Sequence, residues 1–276
     1  MNSICKNTFL TVIVLYETNL NRCLTYKTLL LLEKINFTSD LIIYNNSPEI
    51  KIPQAKNHIV INAETNEMLS GAYNFALNHA NKNNYDWLLL LDQDTELTDD
   101  YFEKLYCFLS DNQDKDVVAV VPFLTNKSKI ISPNKLYFKF LRKSTVKYGI
   151  NSGHIVALNS LSLLRTYFMN SIGGFSSEFP LDMLDYWYYL QFYRHKKKIY
   201  VLDTALKHNL SIYNYAENIT EERYDQLLKA ERKYTYEFGI QVLIIYKFRL
   251  LFRFLKQIIT LKNKRFAYRT IKSILK

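Results

Sequence analysis

Two carboxylates one residue apart, Asp92 and Asp94, stand behind an unbroken apolar run, Leu88 to Leu91. Acids so placed could hold a hard divalent cation, which prefers oxygen ligands and in turn could hold a phosphate. Thr95, Glu96 and Asp99 follow closely, so the same stretch also reads as a solvated acidic turn. A second acidic pair, Asp182 and Asp185, opens a helical pattern that runs to Arg194. Their spacing puts both on one helix face, near the positive end of the dipole, where ionised carboxylates are favoured. Asp182 is expected to cap that helix. His58, His79, His154 and His195 show no ligand spacing and default to surface or core.

The elements that would position these acids follow from hydrophobic patterning. The run ending at Leu91 is too short for a helix and reads as a strand buried on both faces, as in the middle of a parallel sheet. Ligands of open α/β sheets collect beyond the carboxyl ends of such strands. Residues 8–16, 41–44, 58–61, 117–123, 154–158 and 199–202 are further strand candidates. Helices are expected after Thr18 or Asn19, with Leu20, Leu24, Leu31, Leu32 and Ile35 on the apolar face and Thr28 interrupting it, and over about 67–81, 99–109, 160–169 and 182–194. Strand and helix alternate, which implies a parallel sheet covered by helices. Residues 124–150 show no period and are expected to form a long loop.

Bulk properties narrow the class. With 276 residues, 48% hydrophobic and 22% charged, the chain can build one large α/β domain plus an appendage. The net charge of +10 is unevenly placed. No acidic residue follows Glu237, whereas ten Lys and Arg do, from Lys247 to Lys276. The body to residue 237 is therefore formally neutral, which argues against nucleic acid as a partner. Cys5, Cys23 and Cys107 have no pairing or zinc spacing and are expected to be reduced thiols of a cytoplasmic protein. The apolar stretch from Thr8 to Tyr16 is too short for a secretory leader, and no run is long enough to span a membrane. From Gly239 to about Leu261 a helical pattern places Phe248, Leu251, Leu255, Ile258 and Ile259 on one face and Arg249, Arg253 and Lys256 on a neighbouring stripe. This basic amphipathic tail, 238–276, either lies on an anionic membrane surface or packs on the domain.

The order of motifs across about residues 8–210 resembles the GT-A-fold glycosyltransferases of family 2, most of all their rhamnosyltransferase-type members. The motifs are Tyr16-Glu17, Tyr44-Asn45-Asn46-Ser47, the Asn66 to Asn74 segment, Asp92-Gln93-Asp94, Asn151-Ser152-Gly153, Ile172-Gly173-Gly174-Phe175 and Asp182-Met183-Leu184-Asp185. Any one of them is weak; seven in sequence carry the resemblance. It implies a GT-A (Rossmann-like), mostly parallel sheet flanked by helices over 1–237, with a C-terminal amphipathic helical extension. It also implies an inverting, metal-dependent transfer of one sugar, L-rhamnose from a dTDP donor being the favoured case. Asp94 would ligate Mg2+ or Mn2+, Asp92 would contact the ribose or the metal's waters, and His208 matches a third-ligand position. Tyr16, Glu17, Asn45 and Asn74 would bind the dTDP- or UDP-sugar, and Asp185 would be the base on the acceptor hydroxyl. Asn45 departs from the usual Asp, and Met68 stands where the family has glycine. The implied setting is bacterial surface polysaccharide assembly, O-antigen among such products. The acceptor would be a glycan or polyprenyl-linked saccharide, and the enzyme peripheral on the inner membrane face.

Two other readings stay open on sequence. A haloacid-dehalogenase-like phosphatase also carries a strand ending in Asp-x-Asp-x-Thr, but that motif ends the first strand of its fold, whereas three strand segments precede Asp92 here. A non-catalytic sugar-binding relative would not need both Asp94 and Asp185.

Overall fold

Apolar runs with no room for a polar face build the middle of the structure. The computed structural model describes residues 9–33, 40–55, 57–111, 114–126, 129–137, 142–208 and 220–275. Strands β1 (Phe9–Leu15) and β4 (Trp87–Asp92) are buried almost throughout and pair in parallel. β2 (Asp40–Asn45) and β3 (Ile59–Asn62) extend the sheet beyond β1, also in parallel. β5 (Val117–Asn126) and β12 (Lys198–Lys207) pair in parallel on the other side. Between the two groups runs the reversed strand β11 (Ser162–Arg165), antiparallel to both β4 and β5. The order is β3-β2-β1-β4-β11-β5-β12-β9, with β9 at Gly149–Asn151 and β6 (Lys129–Ser132) pairing with β5. A separate antiparallel sheet joins β7 (Asn134–Tyr137), β8 (Arg142–Thr145) and β10 (Ile155–Val156). Helices α1 (Leu24–Glu33), α2 (Met68–Lys82), α3 (Asp99–Asp111), α4 (Thr166–Ser171) and α5 (Leu184–Arg194) complete this part.

Three expectations about these elements change. Residues 124–150 are not one loop but carry β6 to β9 among the described residues. Strands of three or four half-exposed residues leave no readable period. The helix expected over 160–169 is divided: Ser162–Arg165 form β11, and α4 starts only at Thr166. A short buried run such as Leu161 to Leu164 satisfies either template, and here a slot between β4 and β5 takes it as strand. On α1 the buried face is Leu29 and Leu32, while Leu24 and Leu31 are exposed and Ile35 lies outside the described residues. Thr25 and Thr28 belong to the working face of that helix. Thr25 Oγ1 accepts from Thr95 N at 2.9 Å and lies 2.8 Å from Thr95 O, and Thr28 Oγ1 accepts from Leu97 N at 3.2 Å. The loop after Asp94 is thereby pinned by hydroxyls that a periodicity reading counts as interruptions.

The chain divides into two units, residues 1–209 and 210–276, so the break falls ahead of the expected 237. The reason is α6 (Glu221–Tyr236), a helix absent from the sequence reading, which packs with α7 (Ile240–Thr260) and α8 (Arg265–Leu275). Tyr224, Leu227, Leu228, Leu243, Tyr246, Leu250 and Phe266 form their shared core. Arg253 does not join an outward basic stripe. Its guanidinium makes a two-pronged pair with Glu231, 2.9 Å on each arm. Arg269 ties α8 to Glu221 and Asp225 on α6 at 2.8 and 2.7 Å. Among the described residues no helix is long and apolar enough to cross a membrane.

Candidate active site

β1, β2, β4 and β12 run the same way, so their carboxyl ends share one edge of the sheet. Tyr16 and Glu17 leave β1 there, Asn45 to Ser47 leave β2, Asp92 ends β4 and His208 follows β12. The first half of the expected constellation is therefore assembled by topology alone.

Asp94 and Asp185 both lie close enough for their charges to act on Asp92. Asp92 keeps a partial opening to solvent, yet burial raises its carboxyl to about 7, with repulsion from Asp94 and Asp185 adding to the shift. Burial raises Asp185 to about 6, while the backbone N–H of Tyr186, 2.8 Å from Oδ1, and the Lys143 ammonium pull the other way. Burial also lowers His208, against the attraction of Asp94, which keeps the imidazole neutral near pH 7. His208 Nδ1 is 3.5 Å from Thr95 Oγ1, and Thr95 Oγ1 is 2.7 Å from Ser160 Oγ. Among the described residues no three His, Cys, Asp or Glu side chains form a ready metal cage. A small octahedral cation held by one or two carboxylates and completed by water and phosphate needs no such cage. A half-buried Asp92 repelled by the exposed Asp94 and by Asp185 is the kind of strain that a cation relieves, so the donor set fits that open mode of binding.

Around the acids, amides of the motif residues hold backbone. Gln93 grips the end of β1: its Oε1 accepts from Tyr16 N at 2.8 Å and its Nε2 donates to Tyr16 O at 3.2 Å. Asn46 bridges to the start of α2, donating to Met68 O at 2.9 Å and accepting from Glu67 N at 3.1 Å. Met68 takes φ 57°, the left-handed region a glycine would adopt freely, so the backbone turn survives the loss of glycine.

Two expected donor contacts point elsewhere. Asn45 is wholly buried; its Nδ2 donates to Ile50 O at 2.5 Å and Asn62 Oδ1 at 3.0 Å, and its Oδ1 accepts from Ser47 N at 3.0 Å. It holds the turn after β2 instead of facing a nucleotide. Asn74 pairs with Phe175, donating to its carbonyl at 2.7 Å and accepting from its N–H at 2.8 Å. That pair of hydrogen bonds joins the Asn66–Asn74 segment to Ile172–Phe175. Gly174 lies beneath it at φ 82°, where a Cβ would come within 2.5 Å of Asn74 Oδ1. Gly174→Ala should cost about 2–4 kcal/mol from combined backbone strain and overpacking, read as a lowered thermal midpoint. An unchanged midpoint would mean that the clamp yields freely. Asp182 does not cap α5 either: the capping position is Met183, at φ 61°, with no side-chain cap bond.

Tyr16 and Glu17 stay at the mouth of the site. Tyr16 is 47% exposed, and its hydroxyl interacts with Glu17 and Asn66. Two residues were missed from sequence. Tyr73 on α2 is fully buried, its hydroxyl has no hydrogen-bond partner among the described residues, and Asp92 and Asp185 both raise its pKa beyond the effect of burial. Its place in the Asn66–Asn74 motif was the available signal, but its aromatic character read as core. Lys143 on β8 donates to Tyr186 Oη at 2.5 Å and lies 5.2 Å from that ring's centre. No pattern in residues 124–150 marks it.

Residues 44–168 match the family model described as Glycosyl transferase family 2. No curated protein matches the chain in sequence. Among solved structures, S. aureus TarS, residues 1–349 of that protein, is similar with a TM-score of 0.53 at 12% identity, over 97% of this chain and 90% of that one. The mannosyltransferase PcManGT from Pyrobaculum calidifontis, solved in complex with GDP-Man and Mn2+, has a TM-score of 0.53 at 9% identity, over 98% of this chain and 74% of that one. The two structures share the GT-A fold with this chain, and the family match supports a glycosyltransferase.

Proposed function

We propose that the protein is an inverting, metal-dependent glycosyltransferase that moves one sugar from a nucleotide-sugar donor to a glycan hydroxyl. The observation that supports this reading is the placement of Asp92 at the carboxyl end of β4, with the charges of Asp94 and Asp185 acting on it, in a chain whose residues 44–168 match the family model. A bound Mg2+ or Mn2+ would neutralise the charge that collects on the departing diphosphate. Asp94 and Asp92 would hold it, with neutral His208 beside Asp94 as a further ligand. Tyr16 and Glu17 receive the nucleotide, the Tyr16 ring being open for stacking against the base. Asp185 takes the proton of the acceptor hydroxyl as it attacks from the face opposite the leaving group. Lys143 and Tyr186 sit on the acceptor side, where Lys143 favours the carboxylate form of Asp185.

The finer assignments rest on the motif resemblance. They are L-rhamnose from a dTDP donor, a polyprenyl-linked saccharide acceptor, assembly of a bacterial surface polysaccharide, and a peripheral position on the inner membrane face. The place of Asp92 on the fourth strand counts against the phosphatase reading.

The test is a screen of nucleotide sugars with Mg2+ or Mn2+, read by thermal shift and donor hydrolysis. One donor is expected to stabilise the chain and to be hydrolysed, with both effects lost in EDTA. Indifference to every nucleotide sugar, with or without metal, would refute the proposal.

A further inference from the structure

Helix α7 has two apolar faces, and among the described residues only one is used inside its unit. Leu243, Tyr246 and Leu250 pack in the core shared with α6 and α8, and Gln257 hydrogen-bonds Tyr224 on α6 and Thr270 on α8. At 100° per residue the opposite side carries Ile244, Phe248, Leu251, Phe252, Leu255 and Ile259. All six are exposed, Phe252 at 71% and Ile259 at 82%. Soluble chains rarely leave so continuous an apolar stripe in water.

We propose that this outer face docks α7 lengthwise into the headgroup layer of an anionic phospholipid membrane. Charge complementarity selects lipid over a protein partner. Lys247 borders the face on one flank and Lys256 on the other, and no acidic residue occurs from 238 to the end of the chain. A helix with apolar residues on its lower side and cations along both borders matches acyl chains below and phosphates beside it. It cannot cross the bilayer, because no described helix is long and apolar enough. Nor does the face have to be assembled on contact. The Arg253 to Glu231 pair and a buried ring of 2.8 Å hydrogen bonds among Tyr224, Gln257 and Thr270 lock the inner seam. Arg253, expected on the outer stripe, is thereby assigned to holding the platform and not to binding lipid. The docking rests on the proposed function only for its purpose, which is to bring the catalytic unit to a lipid-held acceptor.

The test is co-sedimentation of the full chain with vesicles of phosphatidylglycerol and phosphatidylcholine, against phosphatidylcholine alone. The chain is expected to bind only the anionic vesicles. Phe252→Glu with Ile259→Glu should weaken binding by at least about 30-fold, with circular dichroism unchanged because both positions are exposed. Lys247→Gln with Lys256→Gln should weaken it by about tenfold or more and flatten its dependence on salt. Retention of the Glu variant on vesicles overturns the proposal. So does a Glu variant that only turns a dimer into a monomer in light scattering, which would make the face a seam between copies. Loss of vesicle binding by the Glu variant of a chain that hydrolyses no nucleotide sugar would uphold the docking and sink the transferase reading alone.

Discussion

Asp185→Asn is expected to lower the turnover of sugar transfer by about 10³-fold while leaving donor affinity unchanged. The substitution keeps the shape of the side chain and removes only its capacity to accept a proton as the hydroxyl attacks. The acid holds its proton up to about pH 6, chiefly because it is buried. The wild-type rate should therefore fall as pH drops through about 6, and that limb should vanish from the residual activity of the variant. Stability supplies an independent check on folding. A carboxyl whose folded pKa is raised binds its proton more tightly when folded, so its contribution to stability declines as pH rises from the unfolded value towards 6. Above that range the Asn variant should be more stable than wild type by about 1–3 kcal/mol, and below the unfolded value the two should converge. Thermal melts across pH 4 to 8 measure this, those limits being roughly the reference carboxylate range and two units above the raised value. An Asn variant that melts normally and still transfers sugar at the wild-type rate would place the base elsewhere.

Asp94→Ala is the second large effect. Turnover should drop by about 10²–10⁴-fold, and added Mg2+ or Mn2+ should no longer raise it. Asp94 follows the strand end directly, one residue beyond the Gln93 grip on Tyr16 that fixes the loop. The loss therefore cannot be ascribed to a collapsed loop as long as Gln93 and Thr25 keep their partners, which the melting temperature reports. A variant that binds donor and responds to metal like wild type would remove Asp94 from the metal role.

Much of this was legible before any coordinates. The apolar runs 9–15 and 87–91 can only be inner strands, because no polar period interrupts them, and their acidic ends then fall on the ligand edge. Motif order pointed to Asp92, Asp94, Asp185 and His208; in the structure Asp92, Asp94 and His208 lie at or just past strand ends on one edge, and Asp185, in the first turn of α5, is near enough for its charge to act on Asp92. The roles of amides were not legible. Asn45, Asn46, Asn74 and Gln93 all lie in motifs, yet each grips backbone: Asn45 its own turn, and Asn46, Asn74 and Gln93 segments far away in sequence, as Asn74 does with Phe175. An amide can serve ligand or main chain equally well, and sequence spacing says nothing about which one it faces.

What the sequence determined by itself was therefore the alternation of elements, the strand ends that carry acid, and a terminal segment of purely positive charge. The tertiary structure decided where short, ambiguous segments go and which way side chains turn. Ser162 to Arg165 became strand because neighbouring strands left a gap for them. Lys143 and Tyr73 joined the acids because folding brought together chain segments with no shared period. Arg253 left the basic stripe because α6 offered Glu231 at hydrogen-bonding distance. Local pattern sets which faces a segment can bury, whereas the partner that covers a face comes from elsewhere in the chain, and only packing selects it.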